Sequence, residues 1–542
     1  MVKRRITLTD GYLHFPICDV GTKKYVEILD GEQNMLADFH IGILQEEPYS
    51  YYPMKLHGMA GKTVEICCSD EVPEDYLECI IVGGAIEEHP ELYPDIYKES
   101  ERQQIHFSSR RGWLNDPNGL VYADGKYHMC YQHNPLGNRH GGVNISWGKT
   151  ISEDGIHYRE YPDAIYPSDS KTHIASGSAI VDTDNISGKG EGCILAAYTA
   201  LESRMFDGRE SVGTRGQILV YSTDGGYTFT SFPDNPIIPV PEGCDWRDPK
   251  IIRMDDGSLC IAVYETYDEK NCVSFYSSID CINWNFESRT MDLYECPDLF
   301  RLPVQETGEF LWVLYGANGM YRVGTFENYR FNQIGESMYL DYGKATYAGQ
   351  TYNFHPDTDG RYHIAWMNEE VWREEKPSSV PFSQSMTILC RFTLHKTPDG
   401  YRLFRNPIQA LDSLRIEPED TWQLCMTENQ NTTHPLPVPG ETRLMMQGEK
   451  AVQVLVNGHG FTYDPVSKHL LFTSGKEYTL TSSKPFTVRI ITDIRSVEFF
   501  ICEEISATYI SVDPQKVLSI TGEDGQVQSR MCKMQSIWKE TT

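Results

Sequence analysis

The amino-acid sequence predicts an all-β protein, and three observations lead to that expectation. Short runs of β-branched and aromatic residues recur along the chain, separated by turns rich in glycine, proline, asparagine and aspartate. No helical periodicity extends beyond a few turns between about residues 105 and 400. Hydrophobic residues make up 40% of the 542 residues, which is ample for packed cores. A chain of this length favours about two to four domains.

Residues 1–100 are expected to form a small β module. Alternating runs such as Tyr25–Leu29 and Lys62–Ile66 are typical of half-buried strands. A proline-bearing segment from His89 towards Gln104 follows them and reads as a link between domains. We therefore place the first domain boundary near residue 100.

A recurring element predicts the architecture of the central region, residues 101–405. Ser-x-Asp turns begin at Ser152, Ser222 and Ser278, 70 and 56 residues apart, and each stands between an apolar strand and an aromatic residue. Repeats a little longer than common propeller blades indicate a β-propeller with loop insertions. Because the innermost strands of a propeller converge on one axis, residues far apart in sequence can meet there.

The C-terminal region, residues 410–542, carries longer alternating runs. They include Val452–Val456, Phe486–Ile491 and Val497–Ile501. The change in strand pattern predicts a separate β-sandwich of ordinary domain size.

Charge and cysteine content limit the partners and the compartment. Lysine and arginine total 48 against 77 acidic residues, so the formal charge is −29, and neither nucleic acid nor an anionic membrane is an expected partner. We see no signal-peptide core and no apolar run approaching the roughly 18 residues of a membrane span. The 15 cysteines lack zinc-type spacing and are typical of a reduced protein. These features predict a cytoplasmic location.

The stretch Trp113–Gly119 places Asp116 between two asparagines, a proline and a glycine. Pro117 fixes its own φ and restrains the residue before it, and Gly119 permits a tight turn, so Asp116 should be held in one orientation. A nucleophile is held in this way, and so is an ordinary Asx turn. The stretch alone leaves both alternatives open.

Two further acids occupy restrictive settings: Asp248 in Arg247–Pro249, and Glu295 in Glu295–Asp298. Carboxylates that converge on a cavity suit glycoside chemistry, because cleavage of a glycosidic bond needs one ionised carboxylate and one protonated carboxyl. Glu295 is the candidate acid because neighbouring negative charge raises the pKa of a carboxyl, whereas Arg247 should keep Asp248 ionised. A buried Arg247–Asp248 ion pair and a structural Glu295 remain alternatives.

The residues around these acids indicate no metal site. The three acids have no histidines at ligand spacing near them, and the sequence contains no EF-hand loop.

Four motifs in register, Trp113–Gly119, Ser176–Ala179, Arg247–Pro249 and Glu295–Asp298, resemble glycoside hydrolase family 32, the invertases, inulinases and levanases. The resemblance covers about residues 105–400. Asp493–Phe500 is similar to the sandwich signature of the family, and residues 1–100 resemble, more loosely, a module that precedes some levanase-like members.

The resemblance implies a five-bladed β-propeller, a C-terminal β-sandwich and a retaining mechanism. Asp116 would be the nucleophile that attacks C2 of the fructosyl group, Glu295 the general acid and then base, and Asp248 the transition-state stabiliser on the fructose hydroxyls. It also implies further substrate-binding residues: Asn115, Gln132, Trp147, Ser176 and Arg247. It implies no metal or organic cofactor.

Two departures from the family pattern concern the leaving-group side. His140 stands where members usually have a tryptophan at the pocket rim, and Glu369 and Glu370 replace aromatic residues. Because aromatic faces stack on sugar rings, we expect this side to be reshaped and more polar. With Arg139 and His140 near the rim, a sucrose phosphate substrate is a further alternative.

These observations predict a retaining, exo-acting β-fructosidase that removes terminal fructose from sucrose, fructo-oligosaccharides, inulin-type or levan-type substrates. A fructosyltransferase on the same scaffold and a non-catalytic fructan-binding propeller are the alternatives. The β modules at both ends offer sheet edges and faces for a homodimer.

Overall fold

The structure, a computed structural model, describes residues 2–17, 23–42, 50–68, 72–73, 75–93, 96–140, 144–167, 170–202, 215–241, 244–369, 380–427, 430–481 and 485–538. Within these ranges the protein is all-β, as the sequence predicts. Helical structure there is confined to short 3-10 segments: Tyr76–Cys79, Ile86–Glu88, Pro90–Leu92 and Gln409–Leu414. No helix in the described part of the chain is long and apolar enough to cross a membrane.

The N-terminal module consists of two antiparallel sheets in the described residues. One has the strand order Val2–Thr7, Thr63–Cys68, Lys23–Leu29, Met35–Gly42, and the other Ser50–Lys55, Tyr12–Ile17, Ile81–Val82. Phe15, Val26 and Ile66 belong to the apolar core of this module. Leu136, from the region that follows, packs into the same core.

Between residues 112 and 407 the described chain forms five consecutive sheets, each with its strands in chain order. Their main strands are Gly112–Ala123, Lys126–Asn134, Ser146–Ser152 and Tyr158–Ile165; Thr172–Asp182, Cys193–Glu202, Gly216–Ser222 and Thr230–Ser231; Trp246–Arg253, Leu259–Tyr267, Lys270–Ser278 and Asn285–Met291; Asp298–Pro303, Phe310–Tyr315, Met320–Glu327 and Arg330–Tyr339; and Thr346–Thr351, Arg361–Met367, Cys390–Thr397 and Gly400–Pro407. The first strands of the first and second, second and third, and third and fourth sheets lie against one another, and the first strand of the fifth sheet lies against that of the first. This arrangement is consistent with a β-propeller.

Three short strands supplement these sheets. Ile238–Pro239 pairs in the second sheet and Ser385–Met386 in the fifth. Phe382–Ser383 pairs in parallel with Gly112 and Trp113 of the first sheet, so the end of the region is joined to its beginning.

The sequence repeat occupies the same place in the first three sheets, the hairpin between the third and fourth strands. The Oγ atoms of Ser152, Ser222 and Ser278 donate to the aspartate two residues later at 3.1, 2.7 and 3.1 Å. The repeated motif is therefore an Asx-type hairpin turn, and its recurrence reflects a recurring sheet.

Two six-stranded sheets follow in the described C-terminal region. Their strand orders are Arg415–Met426, Gly525–Met534, Gly440–Gln447, Phe486–Thr492, Ser496–Ile501, Ile505–Ile510, and Gln430–Pro435, Val517–Gly522, Val452–Val456, His459–Asp464, His469–Phe472, Glu477–Thr479. Val454, Phe461, Ile490 and Phe499 are among the buried residues of one core that both sheets share. The three strands named from the sequence in this region are confirmed.

A buried polar network joins the C-terminal sheets to the segment that precedes the first central sheet. The imidazole of His106 lies 2.8 Å from Asp493 Oδ2 and 2.9 Å from Glu498 Oε1, and all three side chains are fully buried. Burial lowers the pKa of His106, but the hydrogen bonds with Asp493 and Glu498 outweigh that effect and raise the pKa to about 9. At neutral pH the network therefore holds a buried imidazolium between two carboxylates.

Candidate active site

The three acids named from the sequence come together around one thiol. Cys296 Sγ lies 3.4 Å from Asp116 Oδ2 and 3.4 Å from Asp248 Oδ2. The backbone N–H of Cys296 also donates to Asp248 Oδ2, at 3.0 Å, and Glu295 is the preceding residue. Residues from the first and third sheets and from the segment that leads into the fourth sheet thus form one acidic cluster.

Bulges in the first strands of four sheets place residues of this cluster and its surroundings. The strand pairing shifts register between Leu114 and Pro117, Ile174 and Gly177, Arg247 and Lys250, and Tyr347 and Gln350. Asp116, Ser176 and Asp248 lie within these shifts. Because a bulge leaves residues out of the regular pairing and redirects their side chains, it can present a polar group at a strand that is otherwise buried.

Asp116 accepts hydrogen bonds on both carboxylate oxygens. Asn115 Nδ2 donates to Oδ1 at 3.0 Å, and Ser176 Oγ donates to Oδ2 at 2.7 Å. Burial raises the pKa of Asp116, the hydrogen bond from Ser176 opposes this, and the charge of Glu295 adds to it. The carboxylate is held in one orientation, and Asp116 remains partly accessible to solvent.

Asp248 is buried and has a left-handed backbone, with φ of +61°. A non-glycine residue in that region is uncommon and is held there by its surroundings, here a hydrogen bond from its N–H to Thr199 Oγ1 at 2.8 Å. Burial raises the pKa of Asp248 to about 7; Arg247 opposes the rise, and Glu295 and Asp116 add to it. Burial thus outweighs Arg247, which the sequence led us to expect would keep Asp248 ionised.

Arg247 lies nearer to Glu295 than to its neighbour in sequence. Its Nη2 is 2.5 Å from Glu295 Oε2, whereas its Nε is 3.5 Å from Asp248 Oδ2. The guanidinium also contacts Asp245 and covers the ring of Tyr264 at 4.7 Å. The sequence suggested that Arg247 mainly serves Asp248, but the bulge turns Asp248 inward and leaves the shorter contact to Glu295.

Glu295 has a second partner, because the hydroxyl of Tyr347 donates to its Oε1. The residue sits just before the first strand of the fourth sheet and has a φ of +27°. With Arg247 on one oxygen and Tyr347 on the other, both carboxylate oxygens are oriented. Its side chain is 17% exposed, so the carboxyl can be reached from outside.

Gln132 and Trp147 bind the backbone next to Ser176. Gln132 Nε2 donates to the carbonyl of Ile174 at 2.9 Å, and Trp147 Nε1 donates to the carbonyl of Ala175 at 2.9 Å. Both side chains are buried, and Trp147 packs in an apolar core, where its indole has no exposed surface. Their visible contacts hold the backbone that leads to Ser176.

The structure corrects the expectation of an acidic leaving-group surface. Glu369 is buried, and its Oε2 lies 2.9 Å from Nη2 and 3.1 Å from Nε of Arg495, which belongs to the C-terminal region. A carboxylate that close to a guanidinium is an ion pair across two parts of the molecule and does not form an open polar rim. Glu370 lies outside the described residues. His140 is half-buried, with its ring 6.1 Å from that of His173.

Two contributors to the site received no role from the sequence. Cys296 and Tyr347 both stand in recognisable motifs, but nothing in their local sequence shows that one thiol lies between two acids or that one hydroxyl reaches Glu295. The signal that could have pointed to Cys296 is its place in Glu-Cys-Pro, directly beside the candidate acid.

In the described residues, neither a metal-binding cluster nor the large cleft near the C-terminal sheets offers a better candidate site. Among the described residues, no group of three or more His, Cys, Asp or Glu side chains is arranged to hold a metal ion. A cleft of about 1720 Å³ lies between the fifth sheet and the first six-stranded sheet, and its lining includes Arg391, Asp412 and Arg489 but none of the three acids. The acidic cluster is therefore the candidate active site.

Comparisons with known proteins match both the site region and the fold. The family model for the N-terminal domain of glycosyl hydrolases family 32 matches residues 106–407. An invertase from Schizosaccharomyces pombe is 33% identical over 361 residues, 61% of this chain and 59% of the relative. A levanase from Bacillus subtilis is 32% identical over 344 residues, 59% of this chain and 48% of the relative. The chain thus spans about half the length of the curated relatives it matches.

A solved structure also resembles this one. An exo-inulinase from Aspergillus awamori superposes with a TM-score of 0.69 at 25% identity, covering 82% of this chain and 100% of that chain.

Proposed function

Since the chain belongs to glycosyl hydrolase family 32, we propose that it is a retaining, exo-acting β-fructosidase that removes terminal fructose from sucrose or fructo-oligosaccharides. The observation that carries this proposal is the convergence of Asp116, Asp248 and Glu295 around Cys296. The names of the relatives, an invertase, a levanase and an exo-inulinase, support the choice of a fructosyl substrate.

Asp116 is proposed as the nucleophile. Its carboxylate attacks C2 of the terminal fructosyl group and forms a covalent ester, while the bond from C2 to the glycosidic oxygen breaks. The hydrogen bonds from Asn115 and Ser176 orient the attacking group. Oδ2 accepts from Ser176 and also lies against Cys296 Sγ, whereas Oδ1 accepts from Asn115 and keeps a lone pair for the attack.

Glu295 is proposed as the general acid and then the base. It gives a proton to the leaving oxygen in the first step and takes one from water in the second, so the ester is hydrolysed and the carboxyl is restored. Arg247 and Tyr347 hold its two oxygens in place.

Asp248 is proposed to bind fructose hydroxyls and to part with its proton when it does so. In the free protein burial keeps the pKa of this carboxyl near 7. Hydroxyls that donate to Asp248 favour its ionised form, so substrate binding would release that proton.

The same proposal extends to the architecture. We assign residues 101–405 to a five-bladed β-propeller catalytic domain and residues 410–542 to a β-sandwich, with residues 1–100 as an N-terminal module. The five successive sheets, the pairing of Phe382–Ser383 with the first sheet and the core shared by the two six-stranded sheets support this division. A homodimer through the terminal β modules remains part of the proposal and is tested by light scattering.

A product profile tests the proposed activity. The purified protein is incubated with sucrose, a β-2,1 trisaccharide and a β-2,6 trisaccharide, and the products are separated by anion-exchange chromatography. Free fructose as the main product supports the exo-fructosidase, and the relative rates identify the preferred linkage. Longer oligosaccharides without free fructose would show a transferase, and binding without turnover would show a non-catalytic fructan-binding protein.

A further inference from the structure

The side chain of Asn144 attaches the N-terminal module to the central sheets by pairing with the backbone of an edge strand. The N–H of His40, on the edge strand Met35–Gly42, donates to Asn144 Oδ1 at 2.9 Å, and Asn144 Nδ2 donates to the carbonyl of His40 at 2.6 Å. One side-chain amide thus makes both hydrogen bonds that a neighbouring strand would make. Asn144 is buried and has a φ of +57°, in the left-handed region that asparagine tolerates.

A second attachment lies eight residues earlier in the chain. The side chain of Leu136 is 2% exposed and packs in the apolar core of the N-terminal module, and Lys23 Nζ donates to its carbonyl at 3.4 Å. A further hydrogen bond runs from the N–H of Ser170 to Asp38 Oδ1, at 3.0 Å. The module therefore holds the central region on both sides of Arg139 and His140.

The segment so held borders the acidic cluster. The carbonyl of Ile145, next to Asn144, accepts from the N–H of Ile174 at 2.9 Å, two residues before Ser176. At the other side, the carbonyl of Gly137 accepts from the N–H of Trp113 at 2.9 Å, three residues before Asp116. The strands that carry the nucleophile and its hydrogen-bond donor thus both begin against this segment.

We propose that the N-terminal module is a specificity element of the active site. By holding residues 134–140 and 144–145, the rim segment, it fixes Arg139 and His140 beside the strands that lead to Asp116 and Ser176. The rim segment then determines which sugar units beyond the terminal fructose are accepted. This inference rests on the proposed function. The family match begins at residue 106, so the N-terminal module and its edge strand lie outside the part of the chain that the match covers.

The test compares two variants that loosen the attachment with one that does not. Asn144→Asp keeps the size and the acceptor but loses the donor to the carbonyl of His40, and Leu136→Ala removes the apolar anchor. Thr63→Ala is the matched control, because Thr63 bonds to Thr7 on the far side of the same sheet and is exposed. Each protein is assayed for kcat/KM with sucrose and with a fructo-oligosaccharide of four units, and hydrogen exchange is followed in peptides from 134–140.

We expect Asn144→Asp and Leu136→Ala to speed exchange in 134–140 and to change the ratio of the two kcat/KM values by about three- to tenfold, as the loss of one or two such contacts allows. Thr63→Ala should leave both unchanged. Unchanged exchange in both variants would overturn the attachment, and faster exchange with an unchanged ratio would overturn the specificity role. Lack of turnover by the wild-type protein is a separate result and overturns the proposed function.

Discussion

Cys296 Sγ lies 3.4 Å from Asp116 Oδ2, and the two residues are 180 positions apart in the sequence. The same sulfur lies 3.4 Å from Asp248 Oδ2. A thiol has one proton to donate, so it can serve only one carboxylate at a time. We therefore propose Cys296 as a positioning residue for the proposed nucleophile and the proposed stabilising acid.

Cys296→Ala is expected to lower kcat by about three- to tenfold, since it removes one modest hydrogen bond from a cluster of buried acids. Cys296→Ser keeps a donor of similar size and should restore most of the rate. Steady-state kinetics over a range of pH is the measurement, because loss of the donor should also move the pH profile. Equal kinetics for the alanine variant and the wild type would contradict this role.

Glu295→Gln is expected to reduce turnover of sucrose by at least about 10²–10⁴-fold, because the glutamine cannot protonate the leaving oxygen. An activated aryl fructoside, whose leaving group needs no proton, should recover a fast first step and show a burst of released phenol. Asp116→Ala should show no burst with the same substrate. A burst in Asp116→Ala would contradict Asp116 as the nucleophile. The absence of a burst in Glu295→Gln would contradict Glu295 as the general acid and base.

Asp248→Asn is expected to stabilise the fold while it abolishes activity. The pKa of Asp248 is raised from 3.8 to about 7 in the folded protein, so the folded state binds an extra proton between these pH values and its stability falls as the pH rises through them. The loss in the free energy of unfolding that ionised Asp248 causes is complete above pH 7 and is about 2–4 kcal/mol. Thermal melts near pH 4 and above pH 7 should show a gain in Tm that grows with pH. An equal gain at both pH values would contradict this account.

His106→Gln is expected to destabilise the protein by about 3–5 kcal/mol at neutral pH, because it removes the imidazolium between the buried Asp493 and Glu498 and leaves Glu498 with Arg405 Nη2 at 3.6 Å. The pKa of His106 is raised from 6.5 to about 9, so its contribution is complete below pH 6.5 and is lost as the pH rises through 9. Urea unfolding below pH 6.5 and above pH 9 tests this. The wild type and the variant should converge at the higher pH, and a constant difference would be evidence against a charged imidazole.

Local sequence was enough to single out the three acids as candidates, because the features that restrain each of them are neighbours in the chain, while their roles came from the family resemblance. Pro117 and Pro249 follow the two aspartates, and Pro297 stands two residues after Glu295. Alternating apolar runs predicted the all-β fold for the same reason, since the period of a strand is visible in a few residues. The Ser-x-Asp repeat further predicted that a similar sheet recurs along the central region.

Contacts between sheets were not predictable in this way. The bulge that turns Asp248 inward depends on register with the next strand, and hydrophobic patterning does not reveal where a register shifts. Glu369 shows the same limit, because its partner Arg495 lies 126 residues later and nothing near Glu369 distinguishes a buried ion pair from an exposed acid.

The measurement that tests the central claim most directly is capture of the covalent intermediate. Glu295→Gln is mixed with β-fructosyl fluoride, quenched in acid, digested and mapped by mass spectrometry; without the base, hydrolysis of the intermediate is slow. We predict a fructosyl ester on Asp116 that is absent from the Asp116→Ala, Glu295→Gln double variant. A fructosyl group on another residue, or turnover with inversion and no covalent species, would contradict the account.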